Sequence, residues 1–152
     1  MIERLEQLTD EVAALHNKLL MLVGPTGTRK SALIADLGHR RAATVLNVGR
    51  ALGKRLASLP VKQRPLAAPT VLRELADQHT ANGLLLLDNL ELLFDRTLRL
   101  DPLDLLKQLA RSRRVVAIWP GELRDGRLSY AELGHPENQD YSLEGLVPFE
   151  TH

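Results

Sequence analysis

The sequence of 152 residues contains no cysteine and only five aromatic side chains: one Trp, two Tyr and two Phe. The absence of cysteine excludes a disulfide framework, a thiolate zinc site and a cysteine nucleophile. So few aromatic side chains cannot build an extended surface on which nucleic acid bases stack. Lys and Arg outnumber Asp and Glu by only one, so no strong overall field draws the protein to nucleic acid or to a membrane, although local basic patches fit this balance.

Long apolar runs are also missing. The two longest, Leu19–Val23 and Val115–Trp119, are too short to cross a bilayer. The first six residues are of mixed charge and lack the apolar core of a signal peptide. Five histidines lie apart, without the spacing of metal ligands: His16, His39, His79, His135 and His152. We therefore expect a cytoplasmic protein that does not contact a membrane.

Leucine dominates what is present, with 33 residues, and its spacing alternates between the patterns of strands and helices. Apolar residues from Ile2 to Leu15 recur at helical intervals and predict an amphipathic helix over residues 1–17. Apolar runs predict strands at 19–23, 43–48, 83–88 and 115–119. Helices are predicted between them, from Ser31, around 52–59, from Pro69 and from Asp101-Pro102. This alternation predicts an α/β fold with a mostly parallel sheet and right-handed crossovers.

The last part of the chain, residues 120–152, has weaker patterns and is predicted to be mostly irregular. Asp125-Gly126 is a candidate hairpin turn. Leu146–Phe149 is a candidate fifth strand, and its proline favours a place at the edge of the sheet. No repeat or linker divides the chain, so we expect one domain over residues 1–152 with about five strands.

The most specific motif follows the first predicted strand. Residues 24–31, Gly-Pro-Thr-Gly-Thr-Arg-Lys-Ser, match the phosphate-binding loop pattern G-x-x-x-x-G-K-[ST] at Gly24, Lys30 and Ser31. In such a loop, backbone N–H groups and a helix N-terminus surround the phosphates of a nucleotide. The predicted nucleotide-binding residues are Gly24, Pro25, Thr26, Gly27, Thr28, Arg29, Lys30 and Ser31. Lys30 would reach the β- and γ-phosphates, and the Ser31 hydroxyl would ligate Mg²⁺.

One position departs from this pattern, because Arg29 stands where the second glycine is expected. Glycine there permits an unusual backbone conformation and a close approach of the phosphates. An arginine would either distort the loop and narrow the pocket or direct its guanidinium outward, toward solvent, a neighbouring subunit or nucleic acid. A turn between strand and helix that holds no ligand is the plainer alternative.

A second motif ends the third predicted strand, where four leucines precede Asp88 and Asn89. It resembles a Walker B segment, whose aspartate holds Mg²⁺, so Asp88 is a candidate catalytic residue and metal ligand. In relatives that hydrolyse ATP the next residue is usually a glutamate that activates water. Asn89 can orient a water molecule but cannot accept its proton at neutral pH. The resemblance therefore implies weak or partner-dependent hydrolysis.

The order of strands and motifs resembles the additional-strand class of P-loop NTPases, in which the fourth strand inserts between the first and the third. In that class the tip of the fourth strand carries a polar sensor, but residues 119–122, Trp-Pro-Gly-Glu, offer no Asn, Ser or Thr, and Trp119 is expected to pack in the core or at its rim. Arginines before this strand, Arg113 and Arg114 above all, are candidate arginine fingers for a neighbouring subunit. A solvated helix end is the alternative role for them.

With both motifs placed, the chain resembles the BrxF family of small P-loop proteins from type 3 BREX (bacteriophage exclusion) systems. The resemblance rests on the short length and on four stretches: 24–34, 83–94, 115–123 and 131–141, the last with Gly134-His135-Pro136-Glu137. It implies an ATP- and Mg²⁺-binding, AAA-like component of a multiprotein phage-defence complex, with other subunits as partners. The chain has no room for the helical lid of AAA proteins, so another subunit is expected to complete the site.

Three other functions stay open from the sequence. A nucleotide-binding scaffold that never hydrolyses ATP would explain Asn89 and the missing sensor. An adaptor that engages DNA would use a basic face of Arg29, Arg40, Arg41 and Lys54. Small-molecule phosphotransfer is disfavoured, because Asn47 and Arg50 lie where an acidic group that activates the acceptor is expected.

Overall fold

A five-stranded parallel sheet forms the centre of the molecule, whose computed structural model describes residues 1–25, 29–130 and 139–151. Its strands are β1 (Leu19–Val23), β2 (Val45–Asn47), β3 (Leu84–Asp88), β4 (Arg114–Ile118) and β8 (Val147–Glu150). Their order across the sheet is β2-β3-β4-β1-β8. The fourth strand therefore lies between the first and the third, which confirms the predicted order.

In the described part of the chain, five α-helices cover both faces of this sheet. They are α1 (Ile2–Glu11), α2 (Lys30–Arg41), α3 (Val48–Ala57), α4 (Arg64–His79) and α5 (Pro102–Leu109). Leu20 and Leu22 of β1 pack in one core with α1 and α2, whereas Leu19, Met21 and Val23 pack in a second core with α3, α4 and α5. Helices thus cover the sheet in three layers, and the predicted α/β fold with a mostly parallel sheet is confirmed. In the described ranges, no helix has the length and apolar character needed to span a membrane.

Two helices differ in extent from their predictions. The N-terminal helix ends at Glu11 and continues only as a 3₁₀ turn, Val12–Ala14, rather than to residue 17. Helix α4 begins at Arg64, so Pro69 lies inside it instead of starting it. Pro65 occupies the first turn, where a missing N–H costs no hydrogen bond, and the buried stripe that follows holds the helix across Pro69.

The segment from residue 120 is more regular than predicted. Strands β5 (Glu122–Arg124), β6 (Arg127–Tyr130) and β7 (Gln139–Ser142) form a separate antiparallel sheet, and β8 completes the edge of the main sheet beside β1. Asp125 and Gly126 both have positive φ, 54° and 73°, which confirms the predicted hairpin turn. The edge position of β8 is confirmed as well.

Four of the five aromatic side chains join the small sheet to the main one. Phe94 stacks on Tyr130 with ring centroids 4.0 Å apart, and it meets Trp119 edge-on at 5.3 Å. Tyr141 contacts both Phe94 and Trp119. The Trp119 indole Nε1–H donates a hydrogen bond to the Ser129 carbonyl at 3.0 Å. These contacts confirm that Trp119 is a packing residue and show that the scarce aromatics are concentrated in one cluster.

A group of ion pairs ties α1 to α2. Arg41 donates to Asp10 at 2.7 Å and to Glu6 at 3.2 Å, and Arg40 lies 3.4 Å from Glu6. The hydrogen bond from Arg41 is the main cause that lowers the pKa of Asp10 below its ordinary value. The pairs orient the exposed edges of two helices whose apolar faces already pack together.

We expect Trp119→Ala to lower the free energy of unfolding by about 3–5 kcal/mol, because it leaves a large cavity between the two sheets. Trp119 is 1% exposed. Urea unfolding followed by circular dichroism measures the loss. Leu66→Ala, at an 85% exposed position, is the control and should change stability little. A loss below roughly 1 kcal/mol for Trp119→Ala would contradict the packing role.

From the Asp10–Arg41 pair we predict that part of the stability of the protein is lost in acid. Because the folded pKa of Asp10 is lowered, its contribution to stability is present above the ordinary pKa near 3.8 and is lost as pH falls through the folded value. Asp10→Asn should therefore lose less stability than the wild type between pH 6 and about pH 2.5. Urea unfolding at both pH values tests this, with Asp125→Asn in the exposed hairpin turn as control. Equal losses in wild type and Asp10→Asn would refute it.

Candidate nucleotide-binding site

The carboxyl edge of the main sheet brings the two sequence motifs to the same end of the molecule. In a parallel sheet all strands end at one edge, and ligands bind there. Gly24 follows β1, Asn47 ends β2 and Asp88 ends β3. Thr151 follows β8. This edge is therefore the candidate site.

Position 24 needs a glycine because another part of the chain, at Thr151, lies very close to it, and not because of its backbone dihedral angles. A Cβ at this position would lie 2.7 Å from the backbone oxygen of Thr151. Thr151 is held there because its backbone N–H donates to the Val23 carbonyl at 2.8 Å. The loop after β1 thus starts in a fixed direction, packed against the end of β8. Thr26, Gly27 and Thr28 lie outside the described residues.

Lys30 is the first residue of α2, and its ammonium group points back to the beginning of the loop. It donates hydrogen bonds to the Gly24 carbonyl at 2.6 Å and to the Pro25 carbonyl at 3.3 Å. Partial burial lowers the pKa of Lys30 from its ordinary value. The side chain therefore lies against the first two residues of the loop, and its charge is partly withdrawn from solvent.

Arg29 precedes α2 with φ −81° and ψ 41°, and its side chain is exposed. A negative φ is accessible to every L-amino acid, so this position does not demand glycine. Whether arginine at this position distorts the rest of the loop or narrows the pocket stays a prediction. Its exposure fits the alternative of an outward guanidinium.

Ser31 and Asp88 join the two motifs directly. The Ser31 hydroxyl donates a hydrogen bond to the Asp88 carboxylate at 2.9 Å, although 57 positions separate them in the sequence. Both oxygens are of the kind that Mg²⁺ prefers, and both lie beside the N-terminus of α2. The pair fits a magnesium site that takes one ligand from each motif and its remaining ligands from phosphate and water.

Asn89 is held by β2 and α3. Its side-chain amide donates to Asn47 Oδ1 at 2.9 Å, and its backbone oxygen accepts from Gly49 N at 3.0 Å. Its φ of 58° is a left-handed value that asparagine tolerates better than most residues. Asn47 also accepts from the Arg50 N–H at 3.0 Å and so caps α3.

Sequence reasoning missed Asn47 as a positioning residue. Its cap signal, an asparagine between a short strand and a helix, was visible. Its bond to Asn89 comes from the pairing of β2 with β3, in which Asn47 lies opposite Asp88. No local pattern predicts that register.

The structure does not bring Arg113 and Arg114 to Asp88. Both lie where β4 begins, at the opposite edge of the sheet from the loop. Arg113 pairs with Asp77 at 2.8 Å, and Arg114 donates to the Asn82 carbonyl at 3.1 Å. Their action as arginine fingers on a neighbouring subunit stays a prediction, and it would require these bonds to break.

Intramolecular ion pairs also engage two of the four basic residues that were predicted to form a DNA-binding face. Arg40 and Arg41 are engaged by carboxylates of α1 and α2, whereas Arg29 and Lys54 are exposed. Carboxylates therefore largely balance the charges of Arg40 and Arg41 when no ligand is bound. DNA binding by this set of four stays a prediction with weaker support.

Comparison with known proteins gives a likeness in fold but no match in sequence. No protein-family model and no curated protein matches the sequence. The fold is similar to that of a DNA replication initiation factor, with a TM-score of 0.53 and 15% sequence identity. The likeness covers 99% of this chain but only 44% of that protein, so this chain spans less than half of its length. At such low identity the likeness establishes the fold alone, and the chain has the α/β fold of P-loop NTPases.

Proposed function

We propose that the protein binds ATP together with Mg²⁺ at the carboxyl edge of its sheet. The observation that carries the proposal is the 2.9 Å hydrogen bond between Ser31 and Asp88, which unites the two motifs beside Lys30. A buried strand, a loop and a helix N-terminus in this order concentrate positive potential where phosphates would lie. The fold likeness supports the same class of site.

Each residue of the site has a defined task in this proposal. Lys30 would donate to phosphate oxygens in place of the carbonyls of Gly24 and Pro25. The partly buried ammonium group would then contact negatively charged acceptors instead of neutral ones. Ser31 and Asp88, now hydrogen-bonded to each other, would hold the metal. When bound, Mg²⁺ would neutralise phosphate charge and orient the terminal phosphate group.

Hydrolysis is expected to be slow or to depend on a partner. No carboxylate occupies position 89, and the Asn89 amide is engaged with Asn47. Trp119 at the tip of β4 is buried among aromatic rings and presents no polar sensor. A group from another subunit is the simplest way to complete the reaction, since a general base contributes about 10²–10⁴-fold to such steps.

In the cell, we propose a regulatory or energising role within a multiprotein phage-defence assembly of the BREX type in the cytoplasm. This part rests on the sequence resemblance to the BrxF family. Two of its four stretches lie largely within the described residues at the site, and the stretch at 131–141 lies mostly outside them. Association with other subunits or copies of the chain belongs to the same proposal.

A scaffold that binds ATP without hydrolysing it is the second candidate. The restraint of Asn89 by Asn47 favours it, because the residue next to the metal ligand is fixed for structure rather than catalysis. Turnover that requires Mg²⁺ and disappears in Asp88→Ala would eliminate this candidate. Binding of ATP with no turnover, both by the isolated protein and in the presence of its partner subunits, would eliminate the hydrolytic one.

We expect Lys30→Ala to lower ATP affinity by roughly 10- to 150-fold, the effect of losing a charge-assisted contact worth about 1.5–3 kcal/mol. Isothermal titration calorimetry with Mg²⁺ and ATP measures the change. Lys62→Ala is the matched control, because it removes an exposed lysine from the turn between α3 and α4. An affinity of Lys30→Ala equal to that of the wild type would refute the assignment of Lys30.

We expect Asn89→Glu to raise Mg²⁺-dependent ATP turnover by at least roughly 10-fold, because it supplies the missing base next to Asp88. The gain is smaller than the full effect of a base, since the change also removes the hydrogen bond to Asn47. Steady-state release of phosphate measures it. Asn89→Gln has the length of Glu without its carboxylate and should show no gain. Retained ATP binding with unchanged turnover in Asn89→Glu would contradict this explanation.

A further inference from the structure

Positive charge is concentrated in one part of the chain. Residues 37–73 contain no Asp or Glu, although the whole protein has a net charge of only +1. The segment includes eight basic residues: Arg40, Arg41, Arg50, Lys54, Arg55, Lys62, Arg64 and Arg73. It covers the end of α2, then β2 and α3, and the first part of α4. The rest of the chain is therefore acidic overall.

Half of these basic residues are satisfied within the protein. Arg40 and Arg41 pair with carboxylates of α1 and α2. Arg55 pairs with Glu74 at 2.6 Å and so links α3 to α4 in a helical hairpin. Arg64 donates to the Leu59 carbonyl at 3.1 Å.

The other four, Arg50, Lys54, Lys62 and Arg73, are exposed and make no ion pair with any described residue. Arg50 and Lys54 are one helical turn apart on α3, and Lys62 lies in the turn that leads to α4. Their charges are directed to solvent on the hairpin itself. Intramolecular pairing thus leaves a positive surface where the sequence has no acid nearby.

Two large exposed apolar side chains lie in the same segment of the chain, in the turn between α3 and α4 and at the start of α4. Val61 is 68% exposed and Leu66 is 85% exposed, on either side of Lys62 and Arg64. The buried stripe of α4 is formed by Ala68, Val71, Leu72, Leu75 and Ala76, so Leu66 does not contribute to the core. We call Arg50, Lys54, Val61, Lys62 and Leu66 the basic hairpin surface.

We propose that the basic hairpin surface binds an acidic amphipathic segment of another protein. The three unpaired cations of this surface, Arg50, Lys54 and Lys62, favour a partner with carboxylates, and Val61 with Leu66 favours one that also brings apolar side chains. A nucleic acid backbone would pair with the cations but would leave the leucine uncovered. Base stacking is also unsupported here, because four aromatics lie in the cluster around Trp119 and Phe149 is buried in the sheet.

This inference goes beyond the proposed function and does not depend on it, because none of these residues belongs to the candidate ATP site. Two 20-residue synthetic peptides serve as probes, one with Glu and Leu at helical spacing and one with Ser in place of each Leu. Fluorescence anisotropy measures their affinities for the purified full chain. We expect the Leu peptide to bind at least about 10-fold more tightly than the Ser peptide, which carries the same charge.

Leu66→Ser should abolish the difference between the two peptides, and Lys62→Glu should weaken both. The matched controls lie outside the basic hairpin surface, Arg4 on α1 and Leu15 directly after the 3₁₀ turn Val12–Ala14. Leu15→Ser tests a second exposed leucine, and Arg4→Glu tests an equal change of charge. Neither should affect binding.

Three outcomes would overturn the proposal. The first is equal affinity for the two peptides, which would indicate charge attraction alone. The second is no binding of either peptide. The third is tighter binding of a 20-nucleotide single-stranded or duplex DNA that Lys62→Glu weakens, which would identify a nucleic acid surface. Circular dichroism of each variant verifies that it is folded, and intact ATP binding shows that the site at Lys30 is separate.

Discussion

The burial of β1 on both faces is the constraint on which the remaining structure depends. All five of its residues are buried, so no side of the strand is available to solvent and helices must cover both. Helices α1 and α2 cover one face, and α3, α4 and α5 cover the other. Parallel pairing of β1 with β4 and β8 then sends every strand end to one edge. The polar residues that follow the strands meet there, which is how an aliphatic core produces a polar site.

The polar groups at that edge are mutually satisfied. Lys30 donates to loop carbonyls, Ser31 donates to Asp88, and Asn89 donates to Asn47. Binding of a nucleotide must therefore replace existing hydrogen bonds, and the affinity reflects the difference between the two sets. A charged phosphate is a stronger acceptor than a neutral carbonyl, so the exchange favours Lys30 most. The Asn89 amide is already engaged with Asn47, which supports the proposal that hydrolysis is slow or depends on a partner.

Much of this fold was predictable because its signals are local. The continuous leucines of β3, the Asp101 cap of α5 and the Asp125-Gly126 turn each specify their own element. The Asp101 side chain accepts from the Asp104 N–H, as its place before Pro102 predicted. The start of α4 was mispredicted because the segment has two prolines about one turn apart. A proline in the first turn, such as Pro65, favours the start of a helix, whereas a proline in the interior, such as Pro69, usually breaks it.

The parts of the site that sequence reasoning could not supply depend on register between distant segments. Lys30 and Ser31 follow from a motif, but the clamp of Asn47 on Asn89 requires β2 to pair with β3 at a particular offset. The aromatic cluster is similar, since its members come from a 3₁₀ turn, the end of β4 and two strands of the small sheet. The contacts of Arg113 and Arg114 could not be predicted either, because only the fold brings Asp77 and Asn82 close to them.

The most direct test of this account is calorimetric titration of the wild-type protein with ATP, once with Mg²⁺ and once with EDTA. Ser31 and Asp88 are assigned to the metal, so affinity should be measurable with Mg²⁺ and at least about 10-fold weaker without it, a difference of about 1.4 kcal/mol. Absence of binding at millimolar ATP under both conditions, or affinity that Mg²⁺ does not change, would contradict the assignment of this edge of the sheet as a metal–nucleotide site.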